Sequence, residues 1–340
     1  MAQGPQPKAK GERTMNEFDL IAKYFTRPPE NALLGVGDDC ALLESNKGMH
    51  QCITSDMLVE GRHFLSTVDP YRLGVKSLAV NLSDLAACGA TPSAFTLSLS
   101  LPQVDPHWLE LFSSGLWDTA LLFGMDLVGG DTTRGPLCIS ITAIGEVPPG
   151  DVLLRSGAKE GDDIYISGTL GDAALALAVF RGFASVDAQS FERIRTRLEQ
   201  PTPRVGLGVA LRGVANACID ISDGLIGDLN HILERSGVGA TLGTEWINNS
   251  EAISVDMQQQ SFNKRLDYVL SGGDDYELLF TASRDAREEV RFASEQSRTP
   301  VTLIGQITRE KGLKVFDLRR ELMQRRFTSF DHFQTHSTYD

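Results

Sequence analysis

The residues of this chain best placed to do chemistry are aspartates that follow glycines or close apolar runs. Asp38 and Asp39 follow Gly35-Val36-Gly37, and Asp56 follows Cys52-Ile53-Thr54-Ser55. Asp131 follows Leu127-Val128-Gly129-Gly130, Asp220 and Asp223 bracket Ile221-Ser222, and Asp274 and Asp275 follow Gly272-Gly273. Asp84 differs: it shares a polar stripe with Ser77 and Asn81 at i, i+4, i+7 spacing, one face of a helix. Strand ends leading into glycine-rich turns are where open α/β sheets bind ligands, because glycine lets backbone N–H groups approach an anion. A carboxylate there would oppose that anion, and two carboxylates about 4 Å apart repel by about 4 kcal/mol at an effective dielectric near 20. A hard divalent cation resolves both conflicts, since Mg²⁺ takes one or two carboxylates together with water and substrate phosphates. Any one Gly-Asp pair is more often a turn. Asp38 could simply hold the turn that carries Asp39, Asp223 or Ser222 could cap the helix at Leu225, and Asp84 alone could be a solvated helix residue. The number of strand-end aspartates is what favours a metal–phosphate site.

The elements that must position these residues are legible in outline. Strands are predicted at His50 to Thr54, Phe95 to Leu101, Leu137 to Val147, Asp163 to Ser167 and Cys218 to Ile221. Tyr71 to Gly89 has helical periodicity, with Gly89 and Pro92 ending it. Asp105-Pro106 opens a helix, Gly171 leads into the Ala-rich run Asp172 to Phe180, Thr202-Pro203 opens another helix, and Ser222 begins one carrying Leu225, Ile226, Leu229, Ile232 and Leu233. Strands and helices intermixed in both halves predict a mixed α/β (α+β) protein of two domains. Residues 1–14 read as an extension, 15–149 and 150–333 as N- and C-terminal domains divided at Pro148-Pro149-Gly150, and 334–340 as a tail.

Composition narrows the function. Among 340 residues, 41% are hydrophobic, 23% charged, and the net charge is −13, which disfavours nucleic acid and anionic membranes as partners. No apolar run approaches a membrane span, and residues 1–14 lack the apolar stretch of a secretory signal. The five cysteines (Cys40, Cys52, Cys88, Cys138 and Cys218) show no C-x-x-C spacing, so a reducing compartment, the cytoplasm, is expected. There is no G-x-x-x-x-G-K-S/T, and neither H-R-D nor D-F-G occurs, so phosphoryl transfer would need an architecture other than the P-loop or protein-kinase one.

An ordered set of motifs is far more specific. Gly37-Asp-Asp-Cys-Ala41, Thr54-Ser-Asp-Met-Leu-Val-Glu-Gly-Arg-His-Phe64, Asn81-Leu-Ser-Asp84 and Gly129-Gly-Asp-Thr-Thr133 are followed by Ser167-Gly-Thr-Leu-Gly-Asp172, Asp220-Ile-Ser-Asp-Gly-Leu225 and Gly272-Gly-Asp-Asp-Tyr-Glu-Leu-Leu-Phe280. From about Asn16 to Phe333 the chain closely resembles the bacterial thiamine-monophosphate kinase family, within the aminoimidazole ribonucleotide synthetase-like superfamily. The resemblance implies that fold, with N-terminal domains pairing their sheets in a homodimer. It implies direct in-line transfer from ATP to thiamine monophosphate, giving thiamine diphosphate, with several Mg²⁺ ions, room for a monovalent cation such as K⁺, and no covalent nucleophile. Carried over by motif, Asp39, Thr54, Ser55, Asp56, Asp84, Asp131, Asp220 and Asp223 would hold metal. Gly130, Asp131, Arg155 and Ser222 would meet ATP, and His63, Asp274 and Phe330 the thiamine substrate, with Phe327 a competing choice for the aromatic. The rival within the superfamily is an ATP-dependent synthetase acting on a ribonucleotide or on selenide. A selenide enzyme should carry a reactive cysteine near the N-terminus, and none precedes Cys40.

Overall fold

The computed structural model describes residues 16–37, 40–249, 251–325 and 327. The two expected site residues Asp39 and Phe330 lie outside them. In the N-terminal half come α1 (Glu17–Leu20), β1 (Ala32–Leu34), β2 (Leu42–Leu43), β3 (His50–Val59), α2 (Pro70–Ala87), β4 (Thr91–Leu101), α3 (Pro106–Phe123), β5 (Asp126–Arg134) and β6 (Cys138–Val147). The C-terminal half begins with β7 (Asp163–Ser167), α4 (Asp172–Phe180), α5 (Ala188–Glu199), α6 (Val205–Ala210), β8 (Ala215–Asp220), α7 (Leu225–Ser236) and β9 (Gly239–Gly243). It continues with α8 (Val255–Gln258), α9 (Phe262–Ser271), β10 (Leu278–Ala282), α10 (Arg287–Ser297), β11 (Val301–Thr308) and β12 (Gly312–Phe316).

Two sheets organise this mixed α/β chain. The first runs β3-β6-β4-β5, antiparallel except for the parallel β4/β5 pair. The second runs β12-β9-β11-β7-β10-β8, antiparallel except for β12/β9. The N-terminal sheet follows the two-residue period: Ile139, Ile141 and Ala143 of β6 are buried, and their register partners Leu58, Asp56 and Thr54 of β3 share that face. Ile53 and Met57 point the other way and are 64% and 57% exposed. One face of this sheet is therefore covered by helices and the other is open.

Helix α2 is the element on which the site depends. Asp69 caps it, its carboxylate accepting from the N–H of Arg72, with Pro70 in the first turn. It lies against β3, β4 and β6 on one side and α6, β8 and β10 on the other. A helix packed on two sides hides its polar residues too, and Lys76, Ser77, Asn81 and Ser83 are all buried. It crosses α3 closely: a Cβ at Gly74 would stand 2.1 Å from the Phe112 carbonyl oxygen, and one at Gly115 2.0 Å from that of Tyr71. The core around α2 joins the two halves, uniting Leu73, Leu78, Leu82 and Leu85 with Val205, Leu207, Cys218, Leu278 and Phe280. A second core, under α4, α5, α7 and α9, belongs to the C-terminal sheet alone.

Candidate active site

Where α2 meets the ends of β3 and β8, three acids come together. Asp56 projects from β3 on the helix-covered face, and its backbone N–H donates to Oδ1 of Asn81 at 3.1 Å. One turn along α2 from Asn81, Asp84 accepts a short hydrogen bond from the Thr54 hydroxyl. Asp220 ends β8, 4% exposed, and accepts from the Ser83 hydroxyl at 2.7 Å. Helix α2 thus supplies supports from two of its faces, Asn81 for the Asp56 backbone and Ser83 for the Asp220 carboxylate.

Neighbouring carboxylates in a half-dry cleft resist ionisation. Burial, and then the charge of Asp84, push the Asp56 carboxyl up to about 6. Burial also raises Asp84, against the Thr54 hydrogen bond and the Arg155 charge. Asp220 is raised well above the ordinary carboxylate range by burial and by Asp84. The sign of the stability effect follows. These acids keep protons in the folded chain that the unfolded chain has released above pH ~4. The contribution is present at low pH and lost as pH rises through the folded values. The thermal midpoint of the protein in chelator should therefore fall between pH 5 and pH 7.5, and Mg²⁺ should restore it at the upper end. A rising midpoint across that window, unaltered by Mg²⁺, would contradict the assignment.

Above the acids opens a cavity of about 430 Å³, lined by Thr54, Asp84, Arg155, Asp220 and Arg235 at its polar part and by Leu85, Cys88, Leu153 and Cys218 elsewhere. Burial pushes the Cys88 thiol up to about 11, so it stays protonated and packs as a small apolar group. Arg155 is exposed at the rim. Two arginines over two carboxylates give a site that can hold an anion once a cation screens the acids.

In the loop after β8, Ser222 or Asp223 could have capped α7, but that duty falls to Asp228, inside the helix. One of its oxygens accepts from the N–H groups of Ser222, Asp223 and Gly224 at 3.1, 3.2 and 3.1 Å. Burial, then the Asp223 charge, push the Asp228 carboxyl up to about 7. Neither the Ser222 nor the Asp223 side chain caps the helix.

A second loop is zipped to the first. The N–H of Asp274 donates to the Ser222 carbonyl and that of Tyr276 to the Ile221 carbonyl, each at 2.8 Å. Asp274 and Tyr276 hold φ of 66° and 50°, positions that non-glycine residues occupy only when their surroundings over-determine them. Those surroundings are visible: both Asp275 oxygens accept from the Gly171 N–H, and Glu277, fully buried, takes Arg197, Arg204 and Ser167. Asp274 accepts from Lys76 Nζ at 2.9 Å and from the Tyr276 hydroxyl at 3.2 Å. His63 lies in the turn after β3, where its Nδ1 accepts from the Val59 N–H at 3.0 Å. That bond selects the tautomer with the proton on Nε2.

Two expected ligands lie elsewhere. Asp131 is exposed on β5 in register with Ser98, and Ser98 with Ser140, on the open face. The Ser55 hydroxyl lies on that open face as well, bonded to the Ile141 carbonyl at 3.2 Å and 3.1 Å from the Thr142 hydroxyl. From β3 to β5 is three strand spacings, roughly 14 Å. Within one chain, then, Thr54, Asp56, Asp84, Asp220 and Arg155 converge, whereas Ser55 and Asp131 do not join them. Gly130 beside Asp131 is needed for packing: a Cβ there would sit 1.8 Å from the Leu97 carbonyl oxygen. Among the described residues, no three His, Cys, Asp or Glu side chains are arranged to hold a metal ion by themselves. Sequence reasoning missed Arg235, Lys76, Tyr276, Asn81 and Ser83 as site residues. Only the polar stripe of α2 could have signalled any of them, through Asn81.

Fold and cleft define the class, that of the AIR synthase related proteins, whose N-terminal domain matches residues 37–147 and whose C-terminal domain matches residues 159–318. Within it, the chain is 45% identical over 323 residues to thiamine-monophosphate kinase of Escherichia coli strain K12, covering 94% of this chain and 98% of that protein. It belongs to the thiamine-monophosphate kinase family. The crystal structure of thiamine-monophosphate kinase from Stenotrophomonas maltophilia K279a superposes with a TM-score of 0.78 at 43% identity, covering 84% of this chain and 91% of that one. AaThiL complexed with AMPPCP and TMP gives a TM-score of 0.73 at 28% identity, covering 85% and 89%.

Proposed function

We infer that this chain transfers the terminal phosphoryl group of ATP to the phosphate of thiamine monophosphate, forming thiamine diphosphate and ADP. The observation that carries the reading is the meeting of Asp56, Asp84 and Asp220 beneath a cavity rimmed by Arg155, in a chain 45% identical to a thiamine-monophosphate kinase over nearly its whole length. The ligands of AaThiL, AMPPCP and TMP, are of the kinds this reaction uses as phosphoryl donor and acceptor.

The residues present fit magnesium. All the donors are oxygens, their carboxyls resist ionisation for want of a counter-charge, and the incomplete cage suits an ion that keeps water and phosphate among its ligands. We assign Thr54, Asp56, Asp84 and Asp220 to that role, with Asp223 on the adjoining loop. When bound, magnesium would screen these acids from the polyphosphate and neutralise charge on the transferred group. Arg155 and Arg235 face the polyphosphate, Asn81 and Ser83 hold the acids in place, and Asp274 and His63 receive the thiamine moiety.

A homodimer formed through the open face of the N-terminal sheet is part of the proposal, supported by exposed Ile53 and Met57 and by the stranding of Ser55 and Asp131 on that face. No helix among the described residues is long and apolar enough to cross a membrane, and all five cysteines are free. The cytoplasm is the compartment we propose.

Product analysis tests the activity. Protein incubated with Mg-ATP and thiamine monophosphate should yield thiamine diphosphate and ADP, and free thiamine in its place should yield neither. Among the described residues of the cleft no serine, cysteine or histidine is placed as an activated nucleophile, so γ-labelled ATP alone should leave no label on the protein. Labelled protein after denaturation would rule out direct transfer.

A further inference from the structure

We propose that Lys76 is a positioning residue for the acceptor substrate, a buried latch from α2 that fixes one oxygen of Asp274 and so presents the other to the thiamine ring. This rests on Asp274 being an acceptor-binding residue. The Lys76 side chain is 2% exposed, and its ammonium reaches across from the N-terminal half to Asp274 in the C-terminal half. A buried lysine is rare unless paired, and here the partner is a carboxylate with 31% of its side chain exposed. The geometry is one-sided. Oδ1 of Asp274 takes both Lys76 Nζ and the Tyr276 hydroxyl, while Oδ2 accepts no hydrogen bond among the described residues. The backbone at Asp274 is held in the left-handed region with its N–H on Ser222, so χ rotation is the freedom the carboxylate has left, and two donors on one oxygen remove it.

An aspartate locked in this way offers a single, fixed acceptor for an amino group on a flat ring, the chemistry of an aminopyrimidine. Asp56 and Asp220 lie in the same cleft, and their charges reach Tyr276 beside Asp274. Without Lys76 the carboxylate would still be present but no longer aimed, and orientation is what binding of a planar donor requires.

The test is a double-mutant cycle with separate Michaelis constants for the two substrates. Lys76→Met should raise KM for thiamine monophosphate about tenfold and change KM for ATP less than about twofold. Lys76→Arg, which keeps the charge and the donors, should recover most of the loss. In an Asp274→Asn background, Lys76→Met should add little, because both changes act through one interaction. Should Lys76→Met fail to fold, Lys76→Gln takes its place in the cycle. Equal rises in both Michaelis constants, or additive effects in the double mutant, would overturn the latch. If Asp274→Asn alone leaves the acceptor KM unchanged, it is the underlying assignment of Asp274 that fails.

Discussion

Asp84→Asn should lower turnover at least about a hundredfold, some 2.7 kcal/mol of barrier, while raising the thermal midpoint of the metal-free protein. Both effects have one origin. Asp84 stands between Asp56 and Asp220, and its charge raises the pKa of each. The neutral amide keeps the shape and can still accept from the Thr54 hydroxyl, so packing against β3 survives. What disappears is a negative charge that repels two others in a half-dry cleft, a repulsion of order 1 kcal/mol or more, worth about 2 °C or more in midpoint for a chain of this size. On the metal role proposed for Asp84, catalysis loses the charge that a hard cation needs. Sites that hold charge against repulsion trade stability for function in this way. Melting curves in chelator and in Mg²⁺, set beside steady-state rates, check both halves. A variant that is slower and less stable would mark Asp84 as a structural residue; one with near wild-type turnover would remove it from metal binding.

On the homodimer proposed above, a heterodimer carrying Asp84→Asn in one chain and Asp131→Asn in the other should regain about half the wild-type activity, although each variant alone should be nearly inactive. The reason is the face of the sheet that Asp131 occupies. It lies on the open side, in register with Ser98 and Ser140, whereas Asp56 and Asp84 lie on the side covered by helices. In the homodimer proposed above, pairing through the open faces puts Asp131 at the interface between the chains, and we propose that each active site draws acids from both chains. In the mixed dimer one site then has both aspartates intact and the other has neither. Co-expression with two affinity tags isolates the heterodimer for assay. If both acids served one site from the same chain, every site in the mixed dimer would carry one lesion and no activity would return. The β1/β2 ribbon lies beside β5, held where one oxygen of Asp126 accepts from the N–H groups of Glu30, Asn31 and Ala32.

Local rules carried much of the reading. Asp163–Ser167 and Asp172–Phe180 are found with the predicted bounds, and Asp105 caps the helix it was expected to cap. Those signals lie in neighbouring residues: β-branched runs, a glycine before an Ala-rich stretch, an Asp-Pro start. Helix α2 was found by its periodicity, but its buried lysine was not, because a helix packed on two sides has no solvent stripe against which a functional polar residue stands out. The strand β3 runs on to Val59, past the expected end at Thr54, since pairing with β6 holds Ser55 to Val59 extended whatever their propensity.

The sequence by itself determined the kinds of ligand this protein carries, the glycines that make room for them, and the family to which its motifs point, because residue identity and short-range spacing are written in order along the chain. Tertiary structure alone decided which acids share a pocket. Asp56, Asp84 and Asp220 come from a strand, a helix and a second sheet, and they meet because α2 is packed between the two sheets. Asp131, in as suggestive a motif as any, is turned away by the alternation of side chains across a strand, a matter of register that no local pattern records.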